Sequence, residues 1–489
     1  MRRIPLYTAI LTSLGAAVVV ASIGAAGHAG AATSTATAPA TGDARTVTEP
    51  HLPASTCATL TATLSTSNRL FPDAAEKNPP DTARIQAALD NCAKGSTPGA
   101  VELKAGSGQN AFLTGPLTIG ANTVLLVDTG VTVYGSRNPA NYQVAGGPTC
   151  GTIAAPTTAF PFGCQPLIHV TGNNSGVMGT QNATGSQGLI DGRGDTQMLG
   201  QTQTWWQLAA AANGASGGKK QMNPRLIQTD GANNFTVYHI SLANSPKMFV
   251  YLQNGSGITV WGVRISAPPG SARNTDGVDP AATTNVTITQ SWIRDGDDGV
   301  AIKGDVLGTP AQNITISNNH FYGTHGISIG SETLGVRNVL VQNNTLDGAD
   351  NGLRIKSNKT VGGQVSQVTY LDTCLNAVKQ PLVFDPNYST SSTISGATIP
   401  TFTDITVNGL KATNSSSAKS TFVGYDSSHP LGLTLENVNL DVNKVASAKN
   451  ATISLYNSTI TPSGSNVTVT RITGTGSVPT CTFPTFPGL

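Results

Sequence analysis

The chain has 489 residues, in which 28 Lys and Arg residues stand against 26 Asp and Glu residues. This near balance excludes a strong charged field over the whole molecule, so composition gives no reason to expect a nucleic acid or a membrane surface as partner. The 54 glycines and the 5% share of aromatic residues favour strands joined by tight turns over a helical bundle.

The first segment has the features of a secretory signal peptide. Arg2 and Arg3 precede an apolar run over residues 10–23, and small residues follow up to Ala32. The apolar run is too short for a membrane span of about 20 residues. We therefore predict a signal peptide over residues 1–32 and a secreted, extracellular protein. Its removal would leave 26 basic and 26 acidic residues.

The next segment, residues 33–56, is rich in Thr, Ala and Pro and has little to bury, which predicts a disordered tether. Ordered structure is expected as one elongated domain over residues 57–489. After Asp81, which we predict as an N-cap, apolar residues recur at helical spacing and predict a short capping helix. These apolar residues are Ile85, Ala88, Leu89 and Cys92.

The six cysteines indicate disulfides, because a secreted chain oxidises its thiols and no pair has the Cys-x-x-Cys spacing of a zinc site. Six cysteines allow 15 pairings. We predict Cys57–Cys92 to tie the cap, Cys150–Cys164 to close a loop and Cys374–Cys481 to pin the C-terminal tail. Neither a metal nor a cofactor is predicted.

Short stretches of β-branched, alternating residues recur along the chain and predict strands. They include residues 101–104, 117–119, 124–127, 131–134, 286–289, 314–317, 339–342, 402–407, 433–435, 453–455 and 467–469. Between Phe235 and Val339, comparable strand positions recur every 23 to 28 residues. This loose repeat predicts an all-β solenoid of stacked parallel coils.

A glycine-rich stretch, Gly188–Gly194, precedes the pair Trp205 and Trp206. We interpret Asp191 within it as a turn residue and not as a catalyst. The tryptophans are candidates for a wall on which sugars stack, but we expect at least one of them to be buried against the solenoid.

Four clusters of charged or titratable residues fall within the repeat: Asn274–Gly277, Gly296–Gly299, Thr324–Gly326 and Arg354–Lys356. Residues about one repeat apart become neighbours in a solenoid, because adjacent strands lie roughly 4.8 Å apart. A single Asp-Gly pair is well explained as a turn. Turn chemistry does not require paired carboxylates, a His and an Arg-x-Lys on successive coils, so we predict a site on one face. Its members are Asp276, Asp297, Asp298, His325, Arg354 and Lys356.

These clusters resemble the signature of polygalacturonases, pectin-cleaving glycoside hydrolases built on a right-handed parallel β-helix. The family pattern reads Asn-Thr-Asp, Gly-Asp-Asp, Gly-His-Gly and Arg-Ile-Lys in that order, with a Tyr further on. The chain carries all four motifs, except that Thr324 replaces the first Gly of Gly-His-Gly, and Asp385–Tyr388 resembles the Tyr segment. The resemblance implies a right-handed parallel β-helix and hydrolysis of α-1,4-galacturonosyl linkages of pectin, with inversion at the anomeric carbon.

The resemblance also implies roles for the carboxylates: Asp297 as general acid, with Asp276 and Asp298 activating water. Glycoside cleavage needs one carboxylic acid and one carboxylate, and repulsion within a cluster raises the pKa of one member. We expect His325 to hydrogen bond to this group and to help keep the acid protonated.

Arg354 and Lys356 are expected to bind the carboxylate of a galacturonate, because strand alternation puts both side chains on one face. A salt bridge to Asp297 or Asp298 is the structural alternative for this pair. Asn274 and Tyr388 complete the predicted substrate-binding residues. The predicted partner is a pectic polysaccharide, bound by a monomer.

Three other functions stay open. A related hydrolase would act on rhamnogalacturonan or xylogalacturonan, and a calcium-dependent pectate lyase would use Asp residues for Ca²⁺ and an Arg as base. A tailspike-like protein would bind a polysaccharide without cleaving it. The order of Asp-Asp, His and Arg-Ile-Lys favours hydrolysis. Endo or exo action is left open, since the insert over residues 141–165 either closes one end of a groove or decorates the surface.

Overall fold

The computed structural model describes residues 39–157, 159–304 and 308–489. Within these residues, 33 strands join in one continuous sheet system, and strands of successive coils pair in parallel. The protein is all-β, a right-handed parallel β-helix, as predicted. Its core of buried aliphatic and aromatic side chains runs along the inside of the coils.

Helices are few and short. They are α1 (Asp73–Lys77), α2 (Thr82–Cys92), the 3-10 helix Pro139–Tyr142 and α3 (Trp205–Ala211). None of the helices in the described part of the chain is long and apolar enough to cross a membrane.

The strands of the N-terminal half are β1 (Thr56–Thr61), β2 (Gly99–Lys104), β3 (Ala111–Thr114), β4 (Leu117–Ile119), β5 (Thr123–Val127), β6 (Thr132–Gly135), β7 (Ile153–Ala154), β8 (Ile168–Val170), β9 (Gly176–Gly179), β10 (Gly188–Asp191), β11 (Lys220–Gln221), β12 (Ile227–Thr229), β13 (Thr236–Tyr238), β14 (Ile240–Ala243), β15 (Val250–Gln253), β16 (Ser256–Trp261) and β17 (Arg264–Ser266).

The strands that follow are β18 (Val278–Ala281), β19 (Thr284–Thr289), β20 (Trp292–Arg294), β21 (Val300–Ile302), β22 (Gln312–Ser317), β23 (His320–Tyr322), β24 (Ile327–Ile329), β25 (Val336–Gln342), β26 (Thr345–Asp347), β27 (Asn351–Lys356), β28 (Gln364–Asn376), β29 (Gln380–Asp385), β30 (Thr401–Phe402), β31 (Ile405–Thr413), β32 (Ser420–Val423), β33 (Leu431–Asn439), β34 (Val445–Ser458) and β35 (Ser465–Arg471).

Each central coil contributes three strands. The strands β12, β15, β18, β21, β24, β27 and β29 pair in succession and form what we call the groove sheet. A second sheet contains β16, β19, β22, β25 and β28, and its register aligns Ile258, Val286, Ile314 and Val339. These four side chains are fully buried. The sequence repeat is therefore the repeat of the coils.

Stacked asparagines lie near the start of the strands of the second sheet. Asn285, Asn313 and Asn338 all have φ between 54° and 57°, a left-handed conformation that asparagine tolerates better than most residues. Each side chain also bonds to the next coil: Asn313 Nδ2 donates to Asn285 Oδ1 at 3.2 Å, and Asn338 Nδ2 donates to Asn313 Oδ1 at 2.8 Å. These asparagine hydrogen bonds stabilise both the left-handed backbone conformation and the spacing between coils.

Helix α2 buries the four predicted apolar residues. Asp81 lies at the N-cap position of the helix, as predicted, but its side chain makes no capping hydrogen bond. The predicted capping interaction is therefore wrong. The Asp81 carboxylate is fully buried and instead accepts from Leu113 N at 2.7 Å and from Arg84 Nε at 2.7 Å. Asp81 thus joins the helix to strand β3.

Three disulfides join Cys57 to Cys92, Cys150 to Cys164 and Cys374 to Cys481, the pairs predicted from the sequence. Asp191 accepts hydrogen bonds from Arg69 Nε, Arg193 N and Asn244 Nδ2, in keeping with a structural role. Trp205 and Trp206 are both buried, so neither offers a stacking wall.

Residues 39–51, which we call the N-terminal strap, lie against the solenoid. This differs from the disordered tether predicted for residues 33–56. Hydrogen bonds join Ala40 N to Thr369 Oγ1, Asp43 N to Thr315 Oγ1, and Arg45 Nη1 to Gly257 O. Polar groups on the outer face of the second sheet hold the strap, which its low hydrophobicity does not reveal. Residues 33–38 and the predicted signal peptide lie outside the described residues.

Candidate active site

The loops that flank the groove sheet line a cavity of about 870 Å³. All eight residues predicted for the site line it: Asn274, Asp276, Asp297, Asp298, His325, Arg354, Lys356 and Tyr388. The first five lie in loops just before β18, β21 and β24, and the basic pair lies on β27. Stacking of the coils thus brings together residues that are far apart in sequence.

Asp297 is held by polar contacts on both carboxylate oxygens. Its Oδ1 lies 3.1 Å from His325 Nδ1, and its Oδ2 accepts from Asn274 N at 3.3 Å and Asn274 Nδ2 at 3.2 Å. Burial alone would raise the pKa of Asp297, but the hydrogen bond to His325 and the charges of His325 and Lys356 bring it below its usual value. Asp297 is therefore an ionised carboxylate.

Asp298 is almost fully buried and is surrounded by donors. Lys356 Nζ donates to Oδ2 at 2.8 Å, while Arg354 Nη2 and Ser328 Oγ both donate to Oδ1. Burial opposes the ionised form, but the charges of Arg354 and Lys356 outweigh it and hold the pKa of Asp298 well below its usual range. Asp298 thus carries a fixed negative charge at the floor of the groove.

Asp276 shares a single cation with Asp279. Lys303 Nζ lies 2.5 Å from Asp279 Oδ1 and 3.4 Å from Asp276 Oδ2. Burial raises the pKa of Asp276 well above its usual range, and repulsion from Asp279 adds to this while Lys303 opposes it. Asp276 Oδ1 is buried without a hydrogen bond partner among the described residues. This carboxyl group therefore holds a proton far more readily than Asp298 does.

His325 lies between two carboxylates. Its Nδ1 faces Asp297, and its Nε2 lies 3.4 Å from Asp350 Oδ2. The hydrogen bond to Asp297 raises the pKa of His325, and burial acts against it. We expected His325 to keep Asp297 protonated, but it lowers the pKa of Asp297, because an imidazolium stabilises the neighbouring carboxylate.

Arg354 and Lys356 point to the same face of β27, as predicted, and both are paired with Asp298. Tyr388 also belongs to this part of the groove, because its ring centroid lies 5.1 Å from Lys356 Nζ. Tyr388 keeps 36% of its surface exposed, so its ring is open to a ligand. The salt bridge to Asp298, the structural alternative for this basic pair, is therefore formed.

Thr324, where the motif departs from its usual pattern, is fully buried and its Oγ1 accepts from Gly326 N at 3.0 Å. Only the later glycine needs special backbone freedom, since Gly326 has φ of 93° and a Cβ there would lie 2.3 Å from Asn351 O. The departure leaves His325 in place.

Residues 165–477 match the model of glycosyl hydrolases family 28. The chain belongs to this family. It is therefore a glycoside hydrolase, and the groove described above is its candidate active site.

Individual family 28 proteins cover most of the chain. It is 39% identical over 445 residues to a polygalacturonase of Ralstonia solanacearum, with 81% of this chain and 80% of that protein covered. It is 38% identical over 412 residues to an endo-polygalacturonase of Pectobacterium carotovorum subsp. carotovorum, with 84% and 93% covered. The solved polygalacturonase from Erwinia carotovora ssp. carotovora matches with a TM-score of 0.69 and 35% identity, covering 87% of this chain and 99% of that one.

Several polar residues of this family 28 groove were missed by the sequence reasoning. Lys303 carried a signal, because Ala301-Ile302-Lys303 repeats the spacing of Arg354-Ile355-Lys356. Ser328 is found only through register, since it pairs directly with Arg354 across β24 and β27. Other missed residues, such as Asp350 and Lys247, line the cavity but carry no signal that separates them from ordinary loop residues.

Loops from both sides of the groove sheet meet over this site. Lys220, in the short strand β11 before β12, lies with its Nζ 3.3 Å from Ser392 Oγ in the loop after β29. Gln221 Nε2 donates to Asn274 Oδ1 at 2.7 Å. The insert over residues 141–165 also reaches the groove, where Phe162 packs edge-on against Tyr251 at 5.5 Å.

Asp297, Asp298 and His325 each offer one ligand atom within 4.8 Å of the others, as a cation site would. Both oxygens of Asp298 already accept from basic side chains, however, and Ca²⁺ requires roughly six to eight oxygen ligands. The donor set of this family 28 groove therefore fits proton transfer better than calcium binding.

Proposed function

We propose that the protein is a secreted polygalacturonase that hydrolyses α-1,4-galacturonosyl linkages of pectin with inversion. The observation that carries the proposal is the presence of two chemistries in one groove. Asp276, Asp297 and Asp298 supply carboxyl groups for glycoside cleavage, and Arg354 and Lys356 supply cations for an acidic sugar. The polygalacturonases that are 38% and 39% identical to the chain support the same substrate class.

Asp297 is the proposed general acid. His325 Nδ1 lies 3.1 Å from Asp297 Oδ1, and we assign the proton of this pair to His325, because its pKa is raised by the hydrogen bond to Asp297 while the pKa of Asp297 is lowered. A bound sugar would bury Asp297 further, and burial raises the pKa of a carboxyl group. Transfer of this proton to Asp297 would give the acid that protonates the leaving glycosidic oxygen.

Asp276 and Asp298 are the proposed partners of the attacking water. Asp298 is held ionised by its three donors, and Asp276 has one oxygen without a partner among the described residues. In an inverting hydrolase one carboxylate removes a proton from the water that attacks the opposite face of the sugar. Lys303, shared by Asp276 and Asp279, would accommodate the change of charge during this step.

Arg354 and Lys356 are proposed to bind a galacturonate carboxylate beside the scissile bond. The Arg354 guanidinium offers five N–H donors and the Lys356 ammonium three, so both can serve Asp298 and a substrate at once. Tyr388 would pack against the sugar ring, and Asn274 would contact substrate while it orients Asp297.

The organisation of the chain is part of the proposal. We infer a signal peptide over residues 1–32 and a single catalytic β-helix domain over residues 57–489, acting as a monomer outside the cell. The three disulfides support an oxidising compartment.

The direct test is to incubate the purified protein with polygalacturonate and to measure reducing ends, with the anomer of the first product read by proton NMR. The expected result is release of reducing ends with inverted configuration and without calcium. An unsaturated, ultraviolet-absorbing product would identify a lyase, and binding without cleavage would identify a tailspike-like protein. Faster turnover of rhamnogalacturonan or xylogalacturonan would reassign the substrate.

A further inference from the structure

Lys247 is a buried lysine of the groove that the proposed mechanism does not use. It lies in the loop between β14 and β15, on the coil just before the one that carries Asp276. The two loops run side by side, because Phe249 N donates to Asp276 O at 2.8 Å and Val250 pairs with Val278. Lys247 lines the cavity while only 9% of its surface is exposed.

The side-chain amine of Lys247 is unpaired within the part of the groove that the structure describes. Among the described residues its Nζ makes neither a hydrogen bond nor an ion pair, whereas Lys303 on the next coils is bound to two carboxylates. Burying a charged amine without a partner lowers the stability of the fold, and a bound anion would offset this cost.

Burial and the charged groups that face Lys247 shift its pKa. Burial lowers the pKa of Lys247 well below its usual range, and repulsion from Arg225, Lys220 and Lys303 adds to this, while Asp276 acts in the opposite direction. The charged groups around Lys247 are thus mainly cationic, which favours an anionic ligand beside it.

The position of Lys247 along the solenoid indicates the kind of anion that it would bind. Strand β15, which follows Lys247, lies two coils before β21, which follows Asp297. Strand β27, which carries Lys356, lies two coils after β21. At roughly 4.8 Å per coil, the backbones of these two strands lie about 10 Å from the coil of the proposed acid, on opposite sides along the axis. The Lys356 side chain reaches back toward that coil, since its Nζ lies 2.8 Å from Asp298 Oδ2. A polyuronide that crosses Asp297 would present a carboxylate to each of them.

We propose that Lys247 binds a second uronate carboxylate, on the opposite side of the scissile bond from Arg354 and Lys356. This assignment rests on the proposed function, because it requires a polyuronide in the groove. It makes Lys247 a determinant of specificity: the enzyme then requires a free carboxylate on both sides of the bond that it cleaves. Binding also returns a proton to Lys247, since a carboxylate partner favours the charged amine.

The test uses the full chain carrying Asp297→Asn, to prevent turnover, with Lys247→Met and Lys247→Arg added singly and Lys444→Met as control. Lys444 is exposed and lies outside the groove. Titration calorimetry measures binding of hexagalacturonate and of its methyl ester. Lys247→Met is expected to weaken hexagalacturonate binding about 10- to 100-fold and to leave binding of the ester unchanged. Lys247→Arg is expected to retain most of the affinity.

A second readout is the number of protons taken up on binding, obtained by repeating the titration at mildly alkaline pH in buffers of different ionisation enthalpy. The parent is expected to take up more protons than the Lys247→Arg variant, whose guanidinium stays charged. The inference is overturned if Lys247→Met binds hexagalacturonate as the parent does, or if it weakens both ligands equally. If Lys247→Met does not fold, equal proton uptake by parent and Lys247→Arg overturns it. A wild-type protein that releases no reducing ends from polygalacturonate would instead refute the proposed function.

Discussion

Lys356 Nζ lies 2.8 Å from Asp298 Oδ2, and Arg354 donates to the other oxygen of the same carboxylate. The cations proposed for the substrate are thus bound to a proposed catalytic group. If the proposed function holds, a substrate carboxylate would share these donors with Asp298 and weaken their hold on it. We therefore expect the charge of the substrate to raise the basicity of Asp298.

Lys356→Ala is expected to lower kcat/KM on polygalacturonate about 10- to 100-fold, because a charge-assisted hydrogen bond to the substrate is lost. Steady-state kinetics measure this, with Lys444→Ala as control. The defect is expected to shrink on highly methyl-esterified pectin, where the substrate charge is already absent. A lower melting temperature with unchanged kinetics on both substrates would instead mean that Lys356 only balances Asp298.

Arg354→Lys is expected to lower kcat/KM on polygalacturonate by about tenfold or more, although the charge is kept. Arg354 bonds through Nε to Ser328 Oγ at 3.0 Å and through Nη2 to Asp298, and a point-like ammonium cannot reproduce this fork. Ser328→Ala is the matched comparison, since it removes one contact of the same fork and leaves the guanidinium. Wild-type kinetics for Arg354→Lys would refute a role for the planar group.

Asp297→Asn is expected to reduce kcat by well over about 100-fold, because the amide cannot supply a proton. The fold should persist, since the amide keeps the shape of the carboxylate, and unfolding curves of variant and wild type check this. Asp350→Asn is the control, as Asp350 touches the other ring nitrogen of His325. Near-normal turnover by Asp297→Asn would remove Asp297 from the acid role.

The pH dependence of kcat/KM should report His325. Its pKa is raised by the hydrogen bond to Asp297, so the proton shared by the pair is bound at acidic pH and is lost as pH rises through a value above the usual value of about 6.5. Activity is therefore expected to be full on the acidic side of this value and to fall on the alkaline side. His325→Gln should lower the rate and abolish this alkaline limb. An unchanged limb in the variant would assign the titration to another group.

Replacing Cys374 and Cys481 together by Ala is expected to lower the free energy of unfolding. The disulfide closes a separation of 107 residues, for which the chain-entropy model gives roughly 3 to 5 kcal/mol. Denaturant titration measures the loss, and peptide mapping without reduction verifies the pair in the wild type. A double variant as stable as wild type would show that the tail is held by its other contacts.

Periodicity was sufficient to predict the solenoid because each coil repeats the same buried positions, such as Ile258, Val286 and Ile314. The same repeat predicted which charged residues meet. It could not predict that Asp350 and Lys247 line the groove, because this depends on the direction of a side chain from a loop. The Asp81 contact to Leu113 was likewise hidden, since it joins segments that no local pattern relates.

The N-terminal strap sets an order for folding. Ala40 bonds to Thr369, 329 residues later in the chain, while Arg45 bonds to the much earlier Gly257. Contacts of such long separation form late, because the intervening chain must first adopt its structure. The strap can therefore dock completely only after strand β28 has been added to the stack. Until then the segment stays open to proteases, so resistance of a nascent or refolding chain to cleavage between residues 39 and 51 would mark completion of the central coils.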